Sequence, residues 1–227
     1  MPVVPAPATG RPQRARTGVA AGPDGRPRCP WALSAPEYIA YHDEEWGRPV
    51  HDTVGLFERL SLEAFQSGLS WLTILRKREA FRRAFAGFDP TVVASFDSAD
   101  VERLMADAGI VRNRRKILAT VSNARAVLAL DVPVLLRGTG PPVARKNYDR
   151  ATFGPLGELV WSFRPAATAA PLAPAVIADV PASTAESVAL AKALKASGIV
   201  FVGPTTAYAL MQACGLVNDH LAACVNR

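Results

Sequence analysis

The stretch from Val101 to Lys116, VERLMADAGIVRNRRK, decides how this chain folds. One helix ends at Gly109, two apolar residues follow, and a basic helix begins. A glycine at such a hairpin lets the backbone come close to a ligand. The next helix presents free N–H groups and the positive end of its dipole to a phosphate. Arg112, Arg114, Arg115 and Lys116 add charge beside it. This is the logic of a helix-hairpin-helix phosphate clamp, which positions a protein on a nucleic acid without reading its sequence. An ordinary helix–helix turn with a solvated basic face is the other reading of the same residues.

The pattern on either side is helical too. Asp52 and Thr53 cap a helix through about Gly68, with Leu56, Leu60 and Ala64 at helical spacing. Ser70 caps the next, from Trp71 to about Phe85. Asp89-Pro90 opens a short helix, and Asp97-Ser98 starts the one that runs to about Ala108. The basic helix spans about Asn113 to Leu130. Residues 131–156 hold much Pro, Gly and charge and read as a loop or insertion. A short helix near Gly157 to Phe163 and an irregular stretch over 164–182 follow. Ser183 and Glu186 form a capping box for a helix to Gly198. Ile199 to Val202 reads as an extended connector, and a last helix spans about Pro204 to Gly215. The fold class is all-α, without an internal repeat.

Residues 1–28 contain six Pro and four Gly and no aromatic residue. Such a segment buries too little surface to offset its ordering entropy, so it reads as a disordered Arg/Pro-rich tail before a domain spanning 29–227. The tail carries +4 of the formal charge of +6, which leaves only +2 for the other 199 residues. Any nucleic-acid surface on the body is therefore a local patch. A second basic run, Arg76, Lys77, Arg78, Arg82 and Arg83, lies among Trp71, Ile74, Leu75, Phe81 and Phe85. It reads as a solvated outer face, with a DNA-backbone contact as the alternative. No apolar run reaches the roughly 18 residues of a membrane span, and no secretory h-region opens the chain. A cytoplasmic monomer, nucleoid-associated in a prokaryote, is the expectation.

The chain has three His and three Cys, and four of these six form a split set: Cys29 and His42 near its start, His220 and Cys224 at its end. The i,i+4 spacing of His220 and Cys224 puts imidazole and thiolate on one face of a helical turn. Two sulfurs and two imidazole nitrogens suit a closed tetrahedral structural zinc, with no position left to activate water. Two unrelated pairs meeting by chance is the bland alternative. Cys214, in an apolar run, reads as a buried free thiol.

Five of the eight Trp and Tyr residues sit between positions 31 and 71: Trp31, Tyr38, Tyr41, Trp46 and Trp71. Glu63 lies beside the apolar stripe of its helix, shortly before Trp71. Aromatic walls with one acceptor carboxylate suit a flat, nitrogen-rich, cationic ring. Each aromatic taken singly fits plain core better.

Four motifs, in order, resemble the 3-methyladenine DNA glycosylase I family. They are Cys29-Pro30-Trp31, YIAYHDEEWG from Tyr38 to Gly47, LEAFQSGLSW from Leu62 to Trp71, and QACGLVNDH from Gln212 to His220. The resemblance runs from about residue 29 to 224 and weakens over 131–182. It implies a helix-hairpin-helix DNA glycosylase fold, with a structural zinc held by Cys29, His42, His220 and Cys224 joining the two terminal segments. It makes Glu63 the base-recognising carboxylate. Glu63 and Tyr41 become the catalytic candidates, with Trp71, Trp46, Tyr38 and Trp31 around the substrate. Gly109, Arg112, Arg114, Arg115 and Lys116 become the DNA-binding candidates. Ala64 and Phe65 depart from the family pattern close to Glu63. The implied reaction is hydrolysis of the N-glycosidic bond of 3-methyladenine in alkylated double-stranded DNA, leaving free base and an abasic site. No residue makes a clear case for a Schiff-base lysine, so no lyase activity is expected.

Overall fold

The structure, a computed structural model, describes residues 18–131, 150–166 and 173–227, and these are mostly helical. Two short strands come first, β1 (Ala20–Ala21) antiparallel to β2 (Pro27–Arg28). A 3-10 turn (Pro30–Leu33) and α1 (Pro36–Ala40) follow, and α1 runs directly into a π-helical turn, Tyr41–Glu45. Then come α2 (Thr53–Gln66), α3 (Trp71–Ala84), α4 (Pro90–Ala94), α5 (Ser98–Ala106) and α6 (Arg114–Leu128). The last three are α7 (Arg150–Trp161), α8 (Ala185–Ala196) and α9 (Pro204–Ala213).

The helix starts fall where short polar side chains can satisfy the first free N–H groups. Asp52, Ser70, Asp89, Asp97 and Asn113 each accept a backbone N–H from the first turn of α2 to α6 respectively. The ends come slightly early. α5 stops at Ala106 because Asp107 turns extended and its carboxylate accepts the Gly109 N–H at 2.7 Å. The capping box of α8 is one residue later than expected: Thr184 Oγ1 accepts from the Ser187 N–H at 3.3 Å, and Ser187 Oγ accepts from the Thr184 N–H at 2.9 Å.

Two expectations need correction. The segment 18–28 is ordered, whereas composition assigned it to the tail. Arg28 is buried, its guanidinium held by Asp24 at 2.6 and 2.7 Å and by Asp43 at 2.7–3.1 Å. The Val225 N–H also donates to the Pro27 carbonyl at 2.9 Å, tying the two chain ends together. A reckoning of apolar area misses ordering by ion pairs and by long-range backbone contacts. Residues 1–17 lie outside the described residues. The second correction concerns the expected loop over 131–156. Its centre, 132–149, also lies outside, but α7 begins at Arg150 and bends at Gly154, where φ is 62° and Pro155 opens the second segment.

α2 is the centre of the fold. It packs against α3, α6, α7 and α9, so it is buried nearly all round. Leu56, Phe57, Leu60, Leu62 and Phe65 supply its apolar contacts. α4 packs on α6, and α8 on α9. A smaller apolar cluster of Cys29, Leu221 and Cys224 stands apart, with Val19 and Trp31 against it. Among the described residues no helix is long and apolar enough to cross a membrane.

Candidate functional site: an aromatic pocket backed by a Cys/His cluster

Glu63 reaches its place because α2 is central. The carboxyl is 7% exposed and has no hydrogen-bond or ion-pair partner among the described residues. Burial alone pushes it up from the ordinary 4.5 to about 8, so it is largely protonated at pH 7. It lines a cavity of about 280 Å³ whose aromatic walls are Trp31, Tyr38, Tyr41, Trp46 and Trp71. The tertiary fold therefore brings all six sequence candidates for the pocket together. Tyr41 and Trp71 lie 5.5 Å apart between ring centres, tilted by 46°. Burial, with the Glu63 charge as a smaller cause, raises the Tyr41 phenol well above its usual range. The Trp71 indole N–H is buried without an acceptor among the described residues.

Sequence reasoning missed Ser34, Gln66, Ala209 and Gln212 in the same cavity. Gln66 stands one helical turn after Glu63, and that spacing was the available signal. Gln212 could be found only in three dimensions. Its Nε2 donates to Asp219 Oδ2 at 2.7 Å, and the same oxygen accepts the Tyr208 hydroxyl at 2.6 Å. The carboxylate thereby fixes the amide orientation, leaving Gln212 Oε1 as an acceptor. Leu69, in the turn between the pocket residues Gln66 and Trp71, is 42% exposed.

Directly behind this wall, Cys29, His42, His220 and Cys224 converge, all buried, with their ligand atoms within 4.8 Å of one another. His42 Nε2 lies 3.1 Å from His220 Nδ1 and 3.4 Å from Cys224 Sγ. His220 Nδ1 lies 3.6 Å from Cys224 Sγ and 4.0 Å from Cys29 Sγ. Tetrahedral zinc, with bonds of about 2.0–2.3 Å to nitrogen and sulfur, sets such pairs about 3.3–3.8 Å apart, so the donors fit. The outer atoms fit as well. His42 Nδ1 pairs with Asp43 Oδ1 at 2.7 Å and His220 Nε2 with the Trp46 carbonyl at 3.2 Å, the partners that orient metal-bound imidazoles. Burial lowers both imidazoles, His220 to about 4, and keeps them in the neutral form that binds metal. One expectation differs: His220 to Cys224 is a series of turns rather than a helix, and folding of the chain end brings the ligands together.

The α5–α6 hairpin divides its candidates. A Cβ on Gly109 would sit 2.9 Å from the Ala80 Cβ, so only glycine lets the hairpin lie against α3. Arg112 and Arg115 are exposed and unpaired among the described residues. Arg114 is exposed but forked onto Glu102 at 2.7 and 2.8 Å. Lys116 overturns its expectation. It is buried, and Nζ donates to the Phe65 and Ser67 carbonyls at 2.8 and 2.6 Å, so its charge is not presented to a phosphate. Most charges of the run 76–83 are engaged within the fold, although Arg76 and Arg83 lie exposed. Arg76 pairs with Glu37, Arg78 with Glu45 and Arg82 with Glu58, while Lys77 donates to the hairpin carbonyls.

The methyladenine glycosylase family model matches residues 31–134 and 144–227. The DNA-3-methyladenine glycosylase 1 of Escherichia coli (strain K12) is 46% identical over 200 residues, covering 87% of this chain and 95% of that protein. A crystal structure of 3-methyladenine DNA glycosylase I superposes with a TM-score of 0.73 at 44% identity, over 87% of this chain and 98% of that one. A crystal structure of a variant 3-methyladenine DNA glycosylase I in complex with 3-methyladenine gives a TM-score of 0.72 at 32% identity, over 88% and 96%.

Proposed function

The chain belongs to the methyladenine glycosylase family, and from that membership we propose that it hydrolyses the N-glycosidic bond of 3-methyladenine in alkylated double-stranded DNA. The observation that carries this reading is the partnerless, buried Glu63 carboxyl facing an aromatic-walled cavity. Methylation at N3 makes the base a cation and a good leaving group. The C1′–N9 bond breaks with its electron pair going to the base, which leaves neutral. Water adds to C1′, loses a proton to solvent, and an abasic site remains.

The pocket's task is to hold the extruded cation. Tyr41 and Trp71 stack on the ring, and their π faces favour its charge. Glu63, protonated in the empty pocket, gives up its proton to solvent beside an arriving cation and accepts from the amino edge as a carboxylate. Neutral adenine offers no such compensation for the buried charge, so it binds less well. Extrusion costs a few kcal/mol, less for a damaged base. Leu69, exposed in the turn between Gln66 and Trp71, fills the gap left in the stack in this reading.

The α5–α6 hairpin acts as a helix-hairpin-helix phosphate clamp through Gly109, Arg112 and Arg115, with Arg114 in a lesser role. Cys29, His42, His220 and Cys224 hold a structural zinc, whose contribution is to tie the chain ends together behind the pocket. Among the described residues no lysine lines the cavity, in keeping with hydrolysis without lyase activity. The working form is a cytoplasmic monomer.

Release of free base from methylated duplex DNA, resolved by chromatography for wild type and Glu63→Gln, tests this. Release of 3-methyladenine that falls at least about a hundredfold in the variant supports it. No release by folded, zinc-loaded wild type points instead to a damage-binding module.

A further inference from the structure

Two lysines join the hairpin to the pocket, and they do so reciprocally. Lys77, on α3, sends Nζ to the Ala108 and Gly109 carbonyls of the α5–α6 turn at 2.9 and 3.1 Å. Lys116, on α6, sends Nζ to the Phe65 and Ser67 carbonyls at the α2–α3 turn at 2.8 and 2.6 Å. Each helix pair thus has its connecting turn held by a lysine from the other. We propose that Lys77 and Lys116 are positioning residues that set the distance between the phosphate-gripping hairpin and the base pocket, a role that rests on the glycosylase reading above.

The chemistry favours a geometric task over a stabilising one. Lys116 is 8% exposed, and no carboxylate pairs with it among the described residues. Burying an ammonium is costly, and an apolar side chain of similar volume would serve stability at least as well. What an apolar residue cannot do is hold two carbonyls at once, as the three N–H groups of an ammonium can. The carbonyls belong to the C-terminal end of α2, the negative end of its dipole, which favours the charge. They also bracket Gln66, and the same turn leads into Trp71, so a shift there moves both the pocket floor and its aromatic wall. At the other end, Ala108 and Gly109 sit just before Arg112 and Arg115. A base swung out of a duplex reaches the pocket only if the hairpin holds the backbone at a fixed distance from it.

The test compares Lys77→Met and Lys116→Met with wild type. Single-turnover base release from methylated duplex, affinity for free 3-methyladenine, and the salt dependence of binding to undamaged duplex are measured together, with thermal unfolding as a check on folding. The expected result is a loss of about ten- to a hundredfold in single-turnover rate. Free-base affinity stays within about twofold in Lys77→Met, whose bonds hold the hairpin and not the pocket, and the slope of log affinity against log salt is unchanged in both variants. Lys77→Arg restores most of the rate. A slope reduced by about one unit per lysine makes them phosphate ligands and overturns the proposal, as does an unchanged rate. Should Lys116→Met fail to fold, Lys77→Met, at a half-buried site, decides the matter. Wild type without base release overturns the glycosylase reading and the brace with it. Active wild type with unaffected variants overturns the brace alone.

Discussion

Tyr41 and His42 are consecutive residues of one π-helical turn, and they serve two different sites. Tyr41 lines the aromatic pocket, while His42 joins the Cys/His cluster behind it. A π turn widens the backbone locally, and such turns often occur at functional positions. The Trp31 ring sits 5.2 Å from the His42 ring and 6.4 Å from the Tyr41 ring, and Trp46 lies 4.7 Å from His220. The pocket wall and the Cys/His cluster are therefore one packed unit.

Removing the metal should loosen that wall. Chelation, or His220→Ala, is expected to lower the unfolding temperature by about 10 °C or more, the effect of losing several kcal/mol from a chain of this size. Trp31 and Trp46 touch the ligands, so tryptophan fluorescence should change in parallel and free 3-methyladenine binding should fall. Unfolding at the same temperature with and without chelator would sink the structural-zinc reading.

Arg28 should control how firmly the metal is kept. It holds Asp43, which in turn orients His42. Arg28→Met is expected to speed zinc transfer to a chromogenic chelator by about tenfold, in line with the loss of an outer partner of a ligand. Base release by the zinc-loaded variant should stay near wild type. Equal transfer rates would show that Asp43 orients the imidazole unaided.

The Glu63 carboxyl predicts a stability that depends on pH. Its value is raised to about 8 in the folded state against 4.5 ordinarily, so between these limits the folded chain binds more protons than the unfolded one. This contribution to stability is greatest at and below pH 4.5, falls as pH rises, and levels off above 8. Glu63→Gln removes the dependence. The variant should gain roughly 3 kcal/mol over wild type at pH 7, and little at pH 4.5. Denaturant unfolding at several pH values reads the gap, and a constant gap would refute it.

Arg112 and Arg115 of the hairpin, unpaired among the described residues, should behave as phosphate ligands. Arg112→Ala and Arg115→Ala are each expected to weaken DNA binding across sequences and to reduce the salt slope by about 0.9. Arg114→Ala should do less, because its guanidinium is already paired with Glu102. Titrations of undamaged duplex at several salt concentrations distinguish the three.

Much of this was legible in the chain. Local chemistry decides where helices start: Asp52, Ser70, Asp89 and Asp97, read from the sequence as helix starts, are each caps in the structure, and Asn113, read as the first residue of its helix, is a cap as well. The Cys/His set and the aromatic positions stand out because those residue types are rare and their motifs recur in one order. Sequence reasoning failed where a residue's role depends on a distant partner. Lys116 looked like the last charge of a basic run, yet its amine meets the carbonyl of Phe65, 51 positions away in sequence.

The sequence by itself determined where α2 to α6 begin, which four side chains can bind a soft metal, and which aromatic residues and carboxylate can build the pocket. These follow from capping, periodicity and donor chemistry, all set within a few residues. Only the tertiary structure decided which charges remain free. The packing of α2 against its neighbours strips water from Glu63 and raises it to about 8. The same packing consumes Lys77, Lys116 and most of the run 76–83 in internal bonds, leaving Arg112 and Arg115 exposed. A charge's role depends on its desolvation and its partners, and both are properties of the fold.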